Sequence, residues 1–258
     1  MTNVNLLLLL PLILILILIL LFYNNFSEKF ENNIEIVIAR YNENLDWLND
    51  TKYLHNLKIT IYNKGINDNF YKPPFSKIFK IPNVGVCDHT YLYHIIKNYY
   101  NLANTTIFLP GSCMDENKKQ KTENVINKTI KTNNTVIYCN DIKEEDYDFE
   151  ILNHTLNNDK NKELNNDTKL RRCDIYPFGK WCEKVFPNIK IKCLTFHGIF
   201  SGSKKHIHNR SKKSYEELIK YVNKDKNEEC AHYIERTWIY IFNPLSSKFI
   251  KNIDFETK

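Results

Sequence analysis

The sequence predicts a mixed α/β domain, on the strength of three short apolar runs with a helical stripe between two of them. Residues 34–39, 57–62 and 105–109 are rich in aliphatic and β-branched side chains, and each run is followed by a polar loop. Apolar residues at helical spacing occupy 91–102, between the second and third runs. The order strand, strand, helix, strand is typical of α/β sheets with crossover connections, whose ligand sites lie at the carboxyl ends of the strands.

The predicted strands place polar residues together at one edge of the sheet. Arg40 and Tyr41 follow the first strand, Asn63 and Lys64 follow the second, and Gly111 follows the third. Since the carboxyl ends of parallel strands meet at one edge, we predict that these residues contact substrate. Ordinary solvated charges at Arg40 and Lys64 would give the same pattern, and this alternative stays open.

The helix that follows the second strand carries two candidate functional residues. Asp88 is predicted to be its N-cap, and a ligand-binding carboxylate is the alternative interpretation. His89, one residue further on, is a candidate contact for a metal, a phosphate or a substrate. A hydrogen-bonded core or surface histidine is the other interpretation of His89.

The second half of the chain begins with a segment of low periodicity. Residues 114–170 are rich in Asn, Lys and Asp, which predicts an exposed insertion with one strand near 135–139. A further strand is predicted over 189–196, and a capping-box pattern predicts a helix over 214–222.

A last helix is predicted from about residue 230 to residue 242, ending before Pro244. Its core stripe consists of Tyr233, Ile234, Thr237, Trp238 and Ile241. His232, Glu235 and Arg236 lie on other faces of this helix, and residues 244–258 form a tail.

The amino terminus predicts a membrane anchor. Residues 6–22 are Leu and Ile apart from Pro11 and Phe22, and their 17 residues make a helix of about 25 Å, near the lower limit for spanning a bilayer. Residues 1–5 form a tip, and 23–33 form a polar stalk. An uncleaved signal-anchor is favoured, because a basic flank and a small-residue cleavage site are absent; a cleaved signal peptide is the alternative.

Composition excludes several other classes. The net charge of +6 is spread along the chain, and the basic cluster at 204–213 lacks interleaved aromatic residues, which argues against a nucleic-acid partner. The seven cysteines form no C-x-x-C pair, so a zinc ribbon or a thioredoxin-type site is not expected. In a lumenal domain they allow up to three disulfides. Asn104, Asn127 and Asn153 lie in glycosylation sequons.

A series of ordered motifs covers most of residues 34–243. The most specific are the N-V-G-x-x-x-H-T-Y-L block from Asn83 and the E-R-x-W block from Glu235 to Trp238. The others are V-I-A-R-Y-N-E-N-L-D-W-L, I-Y-N-K-G, I-F-L-P-G-S, P-F-G-K-W and G-I-F-S-G-S-K-K-H-I. Together they resemble a family of uncharacterised proteins, a domain of unknown function described as glycosyltransferase-like.

The resemblance implies a single Rossmann-like, nucleotide-sugar-transferase-type (GT-A-like) sandwich over 34–243. It implies transfer of a sugar from a nucleotide-sugar donor to a glycan or glycoprotein acceptor, with Mn²⁺ or Mg²⁺ as the cofactor to consider. The matched blocks add Asn83, Gly85, Arg236 and Trp238 to the candidate substrate contacts. With the anchor at 6–22, it implies a type II protein whose domain is lumenal or external.

Catalysis of this kind needs a base for the acceptor hydroxyl. Glu235 is the best candidate, with Asp88 and His89 as further catalytic candidates; a structural ion pair with Arg236 or His232 is the alternative for Glu235. The only Asp-x-Asp pattern, at 146–148, lies in the acidic part of the insertion, so it is a weak metal candidate.

The chain also departs from the family pattern. Val86 and Cys87 stand where the family usually has Arg-Glu, and Pro110 stands where it usually has Gln. A non-catalytic surface or virion-type binding module on the same fold is therefore the alternative function.

Overall fold

The computed structural model describes residues 33–51, 54, 56–151 and 171–252, together with Ile15 and Ile17. From Ile34 onward the described residues form one compact unit. Apart from Ile15, Ile17 and residue 33, the predicted tip, anchor and stalk (1–5, 6–22 and 23–33) lie outside the described residues and stay predictions. Among the described residues, no helix combines the length and the apolarity that crossing a bilayer requires.

Among the described residues, eight strands form two sheets. In chain order they are β1 (Ile34–Arg40), β2 (Lys58–Asn63), β3 (Lys77–Lys80), β4 (Thr105–Pro110), β5 (Ile137–Asp141), β6 (Cys193–Leu194), β7 (Phe200–Ser203) and β8 (Ile250–Asn252). The central sheet has the order β3-β2-β1-β4-β7, in which the first four strands are parallel and β7 is antiparallel to β4. The mixed α/β prediction is confirmed, and the mostly parallel sheet is consistent with a Rossmann-like domain.

The strand order reverses between β1 and β4. From β1 the chain continues to β2 and β3 on one side and later returns to β4 on the other side. Loops leaving the carboxyl ends of β1 and β4 therefore diverge, and the crevice between them is the usual ligand position in open α/β sheets. The predicted strands at 34–39, 57–62 and 105–109 correspond to β1, β2 and β4.

The strands that were predicted poorly are short or lie at sheet edges. The small sheet has the order β6-β5-β8, and its β5 corresponds to the strand predicted near 135–139. The strand predicted over 189–196 is wrong in length, because only the two residues of β6 pair with β5. Neither β3 nor β7 was predicted, since β3 is exposed along its whole length and β7 has a single large apolar residue.

Seven α-helices lie in the part of the chain that the structure describes. They are α1 (Trp47–Asp50), α2 (Val86–Asn98), α3 (Glu116–Thr132), α4 (Phe178–Val185), α5 (Lys204–Ile207), α6 (Lys212–Ile219) and α7 (Glu229–Ile241). Val37 and Phe108 face the core that contains α2, α6 and α7, whereas Ile36, Ile38 and Leu109 face the core that contains α3. Both sheet faces are thus covered, as is usual for parallel strands.

The helix predictions had mixed outcomes. The last helix and its core stripe are confirmed in α7. The helix predicted over 214–222 begins earlier, because the Ser211 side chain caps it by accepting a hydrogen bond from the Ser214 amide. Where sequence analysis predicted an exposed insertion over 114–170, the structure has α3, which buries Val125 and Ile126 against the sheet.

Two disulfides join distant parts of the domain. Cys139 of β5 is bonded to Cys193 of β6, and Cys173 is bonded to Cys230 near the start of α7. Cys87, Cys113 and Cys182 are free and buried.

Removing the second bridge tests its contribution to stability. The double variant Cys173→Ser/Cys230→Ser is expected to lose about 2–4 kcal/mol of unfolding free energy, because it frees a chain segment that the bridge closes over 57 residues. Urea unfolding followed by circular dichroism measures the change. Equal midpoints for the variant and the oxidised wild type would contradict the prediction.

Candidate functional site

Arg40, at the end of β1, organises loops at the carboxyl edge of the sheet. Its side chain is fully buried; Nη1 donates to Asn63 Oδ1 and to the Asn67 carbonyl, both at 2.7 Å, and Nε donates to the Glu43 carbonyl at 2.6 Å. The guanidinium also stacks on Phe70 at 3.9 Å. Arg40 and Asn63, both predicted substrate contacts, are therefore occupied in holding the loops together.

The crevice between β1 and β4 is lined by a carboxylate that sequence analysis did not select. Glu43 Oε2 accepts hydrogen bonds from the backbone amides of Tyr41 and Asn42, at 2.7 and 3.1 Å. A Cβ on Gly111 would lie 2.7 Å from the Glu43 carboxyl carbon, so a side chain at this position would displace the Glu43 carboxylate. Tyr41 is 40% exposed on the same loop.

Lys64 links the end of β2 to the first turn of α2. Its Nζ donates to the carbonyls of Val84 and Val86. Burial lowers the pKa of this ammonium to about 8, a shift that the nearby Asp88 partly offsets. The cation thus lies at the amino end of α2, beside a carboxyl group.

The turn before α2 has a conformation suited to glycine. Gly85 is the N-cap residue with φ of 56°, and its amide donates to the Asp225 carbonyl at 2.8 Å. The prediction that Asp88 is the N-cap is wrong, because α2 begins at Val86. Asn83 is half-buried in the same turn.

Asp88 is instead a buried carboxyl group that joins α2 to α7. It is 2% exposed, and its Oδ1 accepts a hydrogen bond of 2.7 Å from Nε1 of the fully buried Trp238. Cys87 Sγ lies 3.7 Å from Oδ2. Burial, and next the negative charge of Glu235, raise the pKa of Asp88 to about 8. Asp88 is therefore mostly protonated at neutral pH.

His89 lies beside this carboxyl group with one ring nitrogen free. Its side chain is 6% exposed, and Nδ1 has no hydrogen-bond partner among the described residues. Burial, and next the charge of Lys64, lower the pKa of His89 to about 4. The imidazole is neutral at physiological pH and can donate or accept one hydrogen bond to a ligand.

Glu235, the predicted base, is reachable from solvent on α7. Its side chain is 20% exposed, and its Oε2 lies 3.9 Å from Arg236 Nη1 and 4.0 Å from His232 Nδ1. Arg236 is held in place, because its guanidinium stacks 3.9 Å from the Phe149 ring centroid and donates to the His232 carbonyl. Neither contact to Glu235 is a close ion pair, so the carboxylate remains available to a ligand.

Two lysines of α3 complete the cluster, and sequence analysis did not select them. Lys121 is 4% exposed, and its Nζ donates to the Phe196 carbonyl at 2.6 Å. Burial lowers its pKa to about 8, although the charge of Glu235 acts in the opposite direction. Lys118 donates to Ser112 Oγ at 2.8 Å, in the loop that follows β4.

His197, in the loop before β7, lies near both Lys121 and Glu235. Its φ is 69°, a left-handed conformation that side chains rarely adopt. Burial, followed by the charge of Lys121, lowers the pKa of this imidazole. Tyr91 Oη donates to the neighbouring Gly198 carbonyl at 2.9 Å, which fixes this loop against α2.

The structure therefore brings together part of the predicted site. Lys64, Asp88, His89, Glu235, Arg236 and Trp238 share one cluster, which Lys121 and His197 extend. Arg40 and Asn63 belong to the loop framework instead. The cluster combines an accessible carboxylate with the buried Lys121 and the half-buried Lys64 and Arg236, which suits proton abstraction next to an anionic leaving group.

The residues after β4 do not fit a divalent metal. In the segment 111–115, which follows β4, only Asp115 has a carboxylate, and it pairs with Lys118 at 3.5 Å. Asp146 Oδ2 accepts a hydrogen bond from the Lys143 amide as part of a helix cap. Among the described residues, no group of three or more His, Cys, Asp or Glu side chains is placed to hold a metal ion.

The free energy of unfolding should fall on the acid side because of three histidines, of which His89 and His94 are buried and His232 is half-buried. Burial lowers the pKa of His89, His94 and His232 to about 4. The unfolded chain then binds more protons than the folded one between pH 6.5 and 4, so the free energy of unfolding falls as the pH falls through this window. Asp88, whose pKa is raised, changes the free energy of unfolding in the opposite direction. Its single contribution is smaller than that of the three histidines together.

We expect a loss of at least about 2 kcal/mol between pH 6.5 and 4, measured by urea unfolding at each pH. His89→Asn should flatten this dependence, whereas His208→Asn, at an exposed position, should not. An unchanged slope in His89→Asn would contradict the assignment.

Comparison with known proteins identifies the family. Residues 36–251 match the family described as "Protein of unknown function (DUF3431)", which confirms the predicted domain of unknown function. No curated protein and no solved structure shows significant similarity to the chain. The glycosyltransferase-like character is no part of that family description and stays a prediction. Because the match covers most of this chain, the chain belongs to the DUF3431 family.

Proposed function

We propose that the chain is a membrane-anchored, glycosyltransferase-like enzyme that transfers a sugar from a nucleotide-sugar donor to a glycan or glycoprotein acceptor. One observation carries the proposal. An accessible carboxylate, Glu235, and the largely buried cations of Lys64 and Lys121 are clustered near the carboxyl edge of a mostly parallel sheet. Such edges bind nucleotides in many open α/β proteins.

In this proposal, Glu235 removes the proton of the acceptor hydroxyl while the hydroxyl oxygen attacks the sugar. Asp88 stays protonated, so one negative charge rather than two faces the incoming hydroxyl. His89 Nδ1, without a partner among the described residues, orients the acceptor or the sugar by a hydrogen bond.

Lysines stabilise the departing nucleoside diphosphate. Lys118 and Lys121 lie on α3, directly after the loop that leaves β4, and Lys64 follows β2. Fixed cations near a developing negative charge lower the barrier without reorganisation. Since the segment after β4 does not offer the donors for a divalent metal, the step is assigned to these side chains.

The proposed location is lumenal or external. Two disulfides are typical of proteins in oxidising compartments. With the signal-anchor predicted at 6–22, they support a type II arrangement in which the domain is held on the far side of the membrane.

A donor panel tests the proposal. Full-length protein in detergent is incubated with nucleotide sugars carrying UDP, GDP or CMP, with EDTA or with Mn²⁺, and release of the nucleotide is measured. We expect one donor to be turned over, with activity retained in EDTA. Lys121→Met should weaken donor turnover at least about tenfold, whereas Lys119→Met, at an exposed position of the same helix, should not. Absence of binding and turnover with every donor would refute the proposal.

A further inference from the structure

A cavity of about 180 Å³ lies under the carboxyl-terminal half of α2. It is lined by Glu35, Lys58, Thr60, Tyr62, Lys77, Phe79, Tyr93, His94, Lys97 and Asn98. The lining runs along one face of β2 and β3, from Lys58 and Lys77 at their amino ends to Tyr62 and Phe79 near their carboxyl ends. The cavity exists because α2 packs over β1 and not over the edge strand β3, where Phe79 is left 47% exposed.

The cavity contains a buried donor with no partner among the described residues. His94 is 1% exposed, and its Nδ1 lies 3.1 Å from Tyr62 Oη and 3.3 Å from Asn98 Nδ2. Because the Asn98 amide nitrogen can only donate, Nδ1 is the acceptor and the proton of the neutral imidazole is on Nε2. The Nε2–H group has no hydrogen bond, since the nearest carboxylate oxygen, Glu35 Oε2, is 3.8 Å away.

The charges around this donor favour an anion. Both oxygens of Glu35 are engaged, Oε1 by Thr60 Oγ1 at 2.6 Å and Oε2 by Lys58 Nζ at 2.7 Å. Lys77 and Lys97 are exposed at the rim and have no ion-pair partner among the described residues. The rim therefore carries two uncompensated positive charges.

The walls favour a flat ring. Tyr62 and Phe79 are stacked with centroids 5.6 Å apart, and Tyr93 meets Tyr62 edge-on at 5.7 Å. An apolar cavity of about 150 Å³ holds a benzene ring, so the available space suits one ring with one charged group. Aromatic walls pack well against such a ring.

We propose that this cavity binds a small aromatic or otherwise planar anion, with an acceptor atom of the ligand on His94 Nε2 and its charge facing Lys77 and Lys97. The proposal is independent of the proposed function, because no residue is shared with the candidate site. A lone water between His94 and Glu35 is the competing explanation for the free donor.

Calorimetry with phenyl phosphate, inorganic phosphate and benzyl alcohol separates the contributions of the ring and the charge. On the full-length protein in detergent, phenyl phosphate should bind at least about tenfold more tightly than either of the other two. Lys77→Met should weaken it about threefold to tenfold, whereas Lys80→Met, on the same strand but the opposite face, should have no effect.

Nitrogen NMR of the His94 ring reports on the donor directly. We expect phenyl phosphate to shift the Nε2 resonance in the wild type and in Lys80→Met. Three results would each overturn the proposal: no saturable binding, equal affinities of Lys77→Met and wild type for phenyl phosphate, or an unshifted His94 signal at saturation. Each would favour a water molecule as the partner of the His94 donor.

Discussion

Replacing Glu235 with Gln is expected to lower kcat about 10²- to 10⁴-fold, the usual contribution of a general base. The substitution keeps the shape of the side chain and removes the charge that lies 3.9 Å from Arg236 and 4.0 Å from His232. Since neither contact is a close ion pair, the fold should be retained. Turnover of the donor identified in the panel, at saturating donor and acceptor, measures the effect.

Glu217→Gln is the matched control for this experiment. Glu217 lies on α6 in a solvent-exposed pair with Lys220 at 2.7 Å, so its loss should leave turnover unchanged. Donor affinity should also be unchanged in Glu235→Gln, because the proposed mechanism assigns the contacts with the diphosphate to the lysines. If Glu235→Gln kept full turnover, Glu235 would not be the general base. Intact binding to a partner protein without turnover in the wild type would favour the non-catalytic binding module.

The sequence predicts those parts of the fold in which local pattern and burial agree. β1, β2 and β4 are continuous apolar runs because both faces of a parallel sheet are covered. α7 shows a clear helical stripe because one of its faces packs into the core, with Trp238 and Ile234 fully buried. In these elements the residue types alone are sufficient to predict the secondary structure and the buried face.

Elsewhere, burial depends on tertiary contacts that residue type does not report. α3 buries Thr122, Val125, Ile126 and Thr129, a face with only two large apolar residues, so its periodicity is weak. Lys121 lies in the segment that composition predicts to be exposed, although its amine reaches the Phe196 carbonyl. β7 is buried because it pairs with β4, not because its own residues are apolar.

The candidate site shows the same limit. Asp88 was assigned to a helix N-cap from its position, but its partner Trp238 is 150 residues away in the chain. Arg40 was a candidate substrate contact because of its charge at a strand end, but in the structure it donates hydrogen bonds to the carbonyl groups of two loops. Charge and spacing locate polar residues near the correct sheet edge, whereas their partners depend on the complete fold.

The second large effect is expected at the turn before α2, where Gly85→Ala should lower the free energy of unfolding by at least about 3 kcal/mol. A left-handed conformation costs a non-glycine residue about 1 kcal/mol, and the φ of Gly85 is 56°. A Cβ there would also lie 2.1 Å from the Val222 carbonyl oxygen and 2.7 Å from Val222 Cβ, so backbone must move. Urea unfolding of the variant and wild type measures the loss.

Gly179→Ala is the control, because Gly179 lies in α4 and a Cβ there would be 3.1 Å from the nearest atom, the Tyr147 carbonyl oxygen. The gain in helix propensity and the tight contact oppose each other, so the change should stay within about 1 kcal/mol. If Gly85→Ala were as stable as wild type but lost donor binding, Gly85 would be a ligand contact, as its motif predicts. A loss of stability at unchanged donor affinity in the folded fraction would instead show that the Asn-Val-Gly motif serves the turn that places Asp88 and His89.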